Sequence, residues 1–164
     1  MILRIMARLL PVGALFLPLG VLNIRILFSD SETRLNIVEL FRMLGDMGEN
    51  ELMLKVFQSE MFDAARPWLY AAIAGLAIGV LAILAGIAIA FPKGKTPLAA
   101  AMGVYGGGTL GAILMAVSFG AFGSALGDSL LFKVNASVSW GAWVLLALLA
   151  LNAGLAWWQR GGES

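Results

Sequence analysis

Three runs of this chain carry no charged residue over lengths that a lipid bilayer demands. Trp68 to Phe91 is the first, Leu98 to beyond Gly120 the second, and Val138 to Trp158 the third. A hydrocarbon core about 30 Å thick takes roughly 20 apolar residues to cross as a helix, because each residue rises about 1.5 Å. A fourth stretch, Ile5 to Leu22 or on a generous reading to Phe28, reaches the same length once Arg8 is allowed near its start. The spans so predicted are 5–22 (or 5–28), 68–91, 98–120 and 138–158, with outer loops 29–67 and 121–137. The expected fold is an all-α membrane protein: a four-transmembrane-helix bundle in one domain, carrying a small extracytoplasmic cap.

Composition narrows the chemistry. Sixty per cent of residues are of hydrophobic types and 13% are charged, against about 25% charged in an ordinary soluble domain. That balance excludes a soluble enzyme, a disordered tail and a nucleic-acid binder, and a net charge of +1 draws in no polyanion. The chain has no His and no Cys. Imidazole acid–base work, thiol nucleophiles, His- or Cys-based metal sites and disulfides are therefore excluded, and no cofactor is called for.

The N-terminus imitates a signal peptide, with Arg4 and Arg8 ahead of an apolar run. No small-x-small cleavage site stands at the end of that run, so we read it as the first transmembrane helix. Pro11 and Pro18 lie inside it. Each removes a backbone donor, which a membrane helix tolerates where neighbouring helices cover the gap.

Basic residues set the orientation. Arg4, Arg8 and the Lys93/Lys95 link stand opposite loop 29–67, which holds eight acids against four bases. Short Lys/Arg-rich segments stay cytoplasmic, so both termini are expected inside the plasma (cytoplasmic) membrane. Trp68, Tyr70, Trp140 and Trp143 fall at the predicted outer boundary and Trp157 and Trp158 at the inner one, as an aromatic belt would. The competing reading is a stacking platform for a carbohydrate or cofactor.

Small residues recur at helical spacing in the second and third spans. Gly75, Gly79 and Gly86 lie in one, and Gly103, Gly107 and Gly111 in the other, with a second row through Gly108, Ala112, Ala116 and Gly120. Helices in lipid associate through close backbone approach. These rows predict packing of the two spans on each other, or on another subunit or second copy. The Gly106-Gly107-Gly108 run lacks a following Gly-Lys-Ser/Thr and is not a phosphate loop. Tyr105 beside it is read as a packing residue.

The first outer loop is too long for a bare connector. Leu35 to Leu44 has an apolar side, with Gly45 as the expected helix stop, and Glu49 to Phe62 reads as a second amphipathic helix. Leu40, Phe41, Phe57 and Arg25 are the candidate partner surface. Phe132 to Trp140 alternates apolar and polar without a break, the mark of a half-buried strand. A weaker alternation at Leu22, Ile24, Ile26 and Phe28 follows the first span, so the two segments can pair into a two-stranded sheet. The alternative keeps Arg25 on the helix, snorkelling to the headgroups.

In this plan the chain resembles the claudin-like tetraspan proteins: four helices, both ends inside, a long first and a short second outer loop, and strands leaving helix one and entering helix four. The resemblance is one of topology. The Trp, Gly-Leu-Trp and paired cysteines of the claudin loop are absent, so no functional residue is carried over.

Two polar positions are candidates for an ion or polar site. Asp128 ends an otherwise uncharged run, after Gly120, Gly123 and Gly127, which suggest a flexible or re-entrant stretch; its plain reading is a loop aspartate near Lys133. Asn152 and Asn23 lie in or near spans, where amides more often tie helices together. Asn135-Ala136-Ser137 matches a glycosylation sequon. The expected function is a non-enzymatic structural, adhesion or accessory subunit, whose partners are the bilayer and other membrane subunits or copies of itself. A small channel or transporter subunit is the alternative.

Overall fold

A computed structural model describes residues 2–26, 29–49, 62–90, 98–126 and 132–161. In chain order the elements are α1 (Ile2–Ala14), β1 (Gly20–Ile26), β2 (Ser29–Leu35), α2 (Ile37–Glu49), α3 (Arg66–Ala90), α4 (Leu98–Ala125), β3 (Phe132–Val138) and α5 (Trp140–Gly161). Three helical stretches are long and apolar enough to cross a membrane: Arg66–Ile89, Ala99–Ala125 and Trp140–Trp158. The shortest, 19 residues, is about 29 Å long at 1.5 Å per residue. Their outward side chains, among them Leu81, Leu84, Leu110, Val117 and Leu151, are exposed, as a lipid-facing surface requires.

The helices pack α3 on α4 and α4 on α5, with α1 against α5 and α3. One core lies inside this bundle, through Ile83, Tyr105, Ala112, Leu145 and Leu149. A second lies at one end, where Leu22, Leu35 and Ala136 of the strands meet Phe62, Ala65, Phe122 and Leu126. The strands form an antiparallel sheet of order β2-β1-β3. The fold is thus mostly helical but not all-α.

Several boundaries differ from the expectation. The first helix stops at Ala14, not Leu22 or Phe28, and at 13 residues it is about 20 Å long, short of a bilayer. Pro18 sets this limit. It cannot donate to Ala14 O, and the residue before it is pushed away from helical backbone. The chain tightens instead through Leu15 N–Val12 O, Phe16 N–Gly13 O and Leu17 N–Ala14 O bonds, each 3.2 Å, and then enters β1.

Arg25 therefore lies on a strand. The sheet has three strands rather than two, since Ser29–Leu35, too polar to show an apolar alternation, pairs along all of β1. Gly45 does not stop α2, which continues to Glu49. Gly120 and Gly123 are helical, and α4 continues to Ala125, while Gly127 lies outside the described residues. Gly123 lets the helix press on the Ala136 carbonyl of β3. The last apolar helix begins at Trp140, because Val138 still belongs to β3. Asp128, Phe57, most of the expected helix over 49–62 and the Lys93/Lys95 link lie outside the described residues.

Candidate functional site

The most constructed region is the junction between the N-terminal segment, the sheet and the bundle. Residues Leu15 to Leu19 are irregular, yet the carbonyls of Leu15, Pro18 and Leu19 and the N–H of Leu19 are paired with other segments. Leu15 O accepts from Ile37 N (3.1 Å), Pro18 O from Gly141 N (3.1 Å), and Leu19 O from Ser139 N (3.0 Å), while Leu19 N donates to Leu35 O (2.7 Å). Ile37 and Gly141 stand at the first turns of α2 and α5, where helical N–H groups have no partner inside the helix. The unwound segment thus supplies carbonyls to two helix starts, which satisfies polar groups on both sides. Gly141 permits the approach: a Cβ there would strike Pro18 O and Leu17.

Asn36 completes the α2 start. Its Oδ1 accepts from Glu39 N at 2.9 Å, an N-cap bond worth about 1 kcal/mol. Asn36-x-x-Glu39, an N-cap residue followed by an acid three positions on, was a legible signal for this boundary.

Asn152 ties the same N-terminal segment to α5 nearer the other end. Its Nδ2 donates to Ala7 O (3.0 Å) and to Leu148 O (2.9 Å), and the residue is 6% exposed. Ala7 is four residues before Pro11, so its carbonyl is the one that proline deprives of a helical donor. The amide fills that vacancy from the neighbouring helix. Asn152 thus ties the two segments together.

The glycines of the predicted rows divide. A Cβ on Gly75 would lie 2.5 Å from Met115 N and 2.6 Å from Gly111 O, and one on Gly111 would lie 2.8 Å from Gly75 O. Gly86 faces the Tyr105 hydroxyl, 2.6 Å from the position a Cβ would take. Gly79, Gly103 and Gly107 have nothing within 4 Å of theirs. The α3–α4 crossing thus uses Gly75 and Gly111, with Gly108 against Ala82.

Tyr105 is 2% exposed, and its hydroxyl has no hydrogen-bond partner among the described residues. An apolar cavity of about 40 Å³ opens between Leu19, Leu40, Leu69, Leu76, Met115 and Phe119, where the sheet base meets α3 and α4.

Above this junction the sheet turns a polar face outward. Asn23 pairs in register with Asn135 on one side and Glu32 on the other, and all three are exposed. The next row toward the bundle holds Arg34, Val21 and Ser137. Arg34 Nε donates to Glu32 Oε1 at 3.2 Å. Arg25 takes the row beyond, between Asp30 and Lys133. Amides, hydroxyls and an exposed ion pair make this a hydrogen-bonding surface.

Of the expected partner surface, Phe41 is 66% exposed on α2, Leu40 is half-buried at the cavity, and Arg25 stands on the sheet. The sequence reading missed β2, the paired carbonyls of Leu15, Pro18 and Leu19 and the Pro11–Asn152 complement; the last was signalled by a proline and an amide on two predicted spans. Compared with known proteins, the chain matches no family model, no curated protein and no solved structure.

Proposed function

We propose that the chain is a non-enzymatic multi-pass membrane protein, a structural, adhesion or accessory subunit that presents its sheet to a partner. The observation that carries this reading is the anchoring of the sheet. Backbone bonds from Leu15, Pro18 and Leu19 to Ile37, Gly141, Ser139 and Leu35 join a polar, exposed face to the ends of the apolar helices. A face held in this way meets a partner with little ordering cost, and such preorganisation favours binding.

In this reading the N-terminal segment is a fourth crossing. Ala7 touches Asn152 and Pro18 touches Gly141, so it runs antiparallel along about 16 Å of α5, and Ile2 extends further in the same direction. Both termini and the Lys93/Lys95 link then lie on the basic, cytoplasmic side. The pairing of the strand after α1 with the strand before α5 supports the claudin-like plan as an analogy of topology only.

A photo-crosslinking residue at Asn135, in native membranes, tests the reading. An adduct to another membrane protein or a second copy from position 135, and none from lipid-facing Leu81, is expected. No adduct from any position of the sheet face sinks the subunit reading. Ion conductance by the purified protein in planar bilayers replaces it with the channel reading.

A further inference from the structure

α2 bears an apolar edge that the other described residues leave exposed. Turning about 100° per residue, it directs Ile37 and Leu40 to one side, where Ile37 is buried in the bundle core and Leu40 borders the cavity. Phe41 and Val38 occupy the adjoining flank and are 66% and 53% exposed. Arg42 follows at the start of the polar arc, also exposed.

Depth comes from the neighbours. Leu40 borders the same cavity as Leu69, Ile73 and Leu76, residues that lie in the first three turns of a span beginning at Arg66. Ile37 is bonded to Leu15 and shares a core with Leu145, in the second turn of α5. The start of α2 therefore stands level with the outer turns of α3 and α5. There, exposed Trp68, Tyr70, Trp140 and Trp143 make the ring expected at a headgroup boundary. The Val38–Phe41 edge continues the lipid-facing surface of the spans.

We propose that α2 is an interfacial helix whose Val38 and Phe41 side chains are immersed in the lipid leaflet on the sheet side. Arg42 is left at headgroup level. An amphipathic helix with an apolar edge beside a cation is the kind that lies in this plane. The proposal excludes Phe41 from the partner surface and leaves that role to the sheet.

The chain has no cysteine, so single-cysteine variants label cleanly. Val38→Cys and Phe41→Cys, each carrying a nitroxide, are reconstituted in phosphatidylcholine–phosphatidylglycerol vesicles. Collision with oxygen, which concentrates in lipid, is compared with collision with a water-soluble nickel chelate. Leu81→Cys is the bilayer reference and Asn135→Cys the aqueous one. Positions 38 and 41 are expected to fall between the two references, with oxygen favoured several-fold more than at position 135. Access to nickel at 38 and 41 equal to that at 135, or shielding from both reagents by a protein partner, overturns the proposal. It rests on α3 crossing the membrane. Nickel access at Leu81 itself defeats that premise, whereas a protected Leu81 beside an exposed Phe41 defeats the interfacial helix alone.

Discussion

Asn152→Ala separates the tie at Ala7 from generic packing. Two bonds are lost, to Ala7 O and Leu148 O, but their consequences differ. Leu148 O keeps its backbone donor, the N–H of residue 152 four positions on. Ala7 O keeps none, because Pro11 stands where its donor would be. A buried carbonyl left unpaired costs about 1–3 kcal/mol, while side-chain hydrogen bonds between membrane helices average about 0.6 and reach about 1.7 kcal/mol. We expect Asn152→Ala to cost about 1–2 kcal/mol.

The decisive comparison is with Pro11→Ala, which restores an N–H four residues after Ala7. In that background Asn152→Ala is expected to cost about 0.6–1.5 kcal/mol less, the difference being a coupling energy. Reversible unfolding in mixed dodecylmaltoside–SDS micelles, followed by circular dichroism, measures all four corners of the cycle. An Asn152→Ala cost that is the same in both backgrounds refutes the assignment of Asn152 as Pro11's complement. A cost below about 0.3 kcal/mol in the native background, within the error of such cycles, refutes its role as a tie.

Four further substitutions probe the bundle by the same unfolding measurement. Gly75→Ala places a methyl group against the backbone of Met115 and Gly111, which cannot rotate away, and is expected to cost about 1–3 kcal/mol; Gly79→Ala, with open space, should be neutral or gain up to about 1 kcal/mol of helix propensity. Equal effects at the two glycines would discard this account of the crossing. Ala72→Val adds carbon to a cavity of about 40 Å³; at about 24 cal/mol per Å³ it should gain up to about 1 kcal/mol, and a clear loss would show the space is already filled. Tyr105→Phe removes a buried hydroxyl without a partner among the described residues and is expected to stabilise by about 1–3 kcal/mol; destabilisation would mean the hydroxyl is bonded in the membrane.

Much of the architecture was legible because it depends on length and periodicity. An uncharged stretch such as Trp68 to Phe91 has one stable destination, and its extent matches α3 to within a few residues. Phe132 to Val138 alternates so regularly that no context was needed to read a strand. β2 was illegible for the opposite reason. Ser29 to Arg34 is polar throughout, and it becomes a strand because β1 offers it a ladder of hydrogen bonds. Gly45 misled because a glycine caps a helix only where the following chain turns away, and here α2 continues to Glu49.

The sequence by itself determined that the chain carries three uncharged stretches long and apolar enough to cross a membrane, since sixty per cent of its residues are hydrophobic and 13% are charged. Only the tertiary structure decided where the first helix ends, which glycines touch and what Asn152 does. Those depend on contacts between segments far apart in the chain. Ala7 and Asn152 are separated by 145 positions, and no local pattern records which carbonyl a proline has left bare or which side chain will reach it.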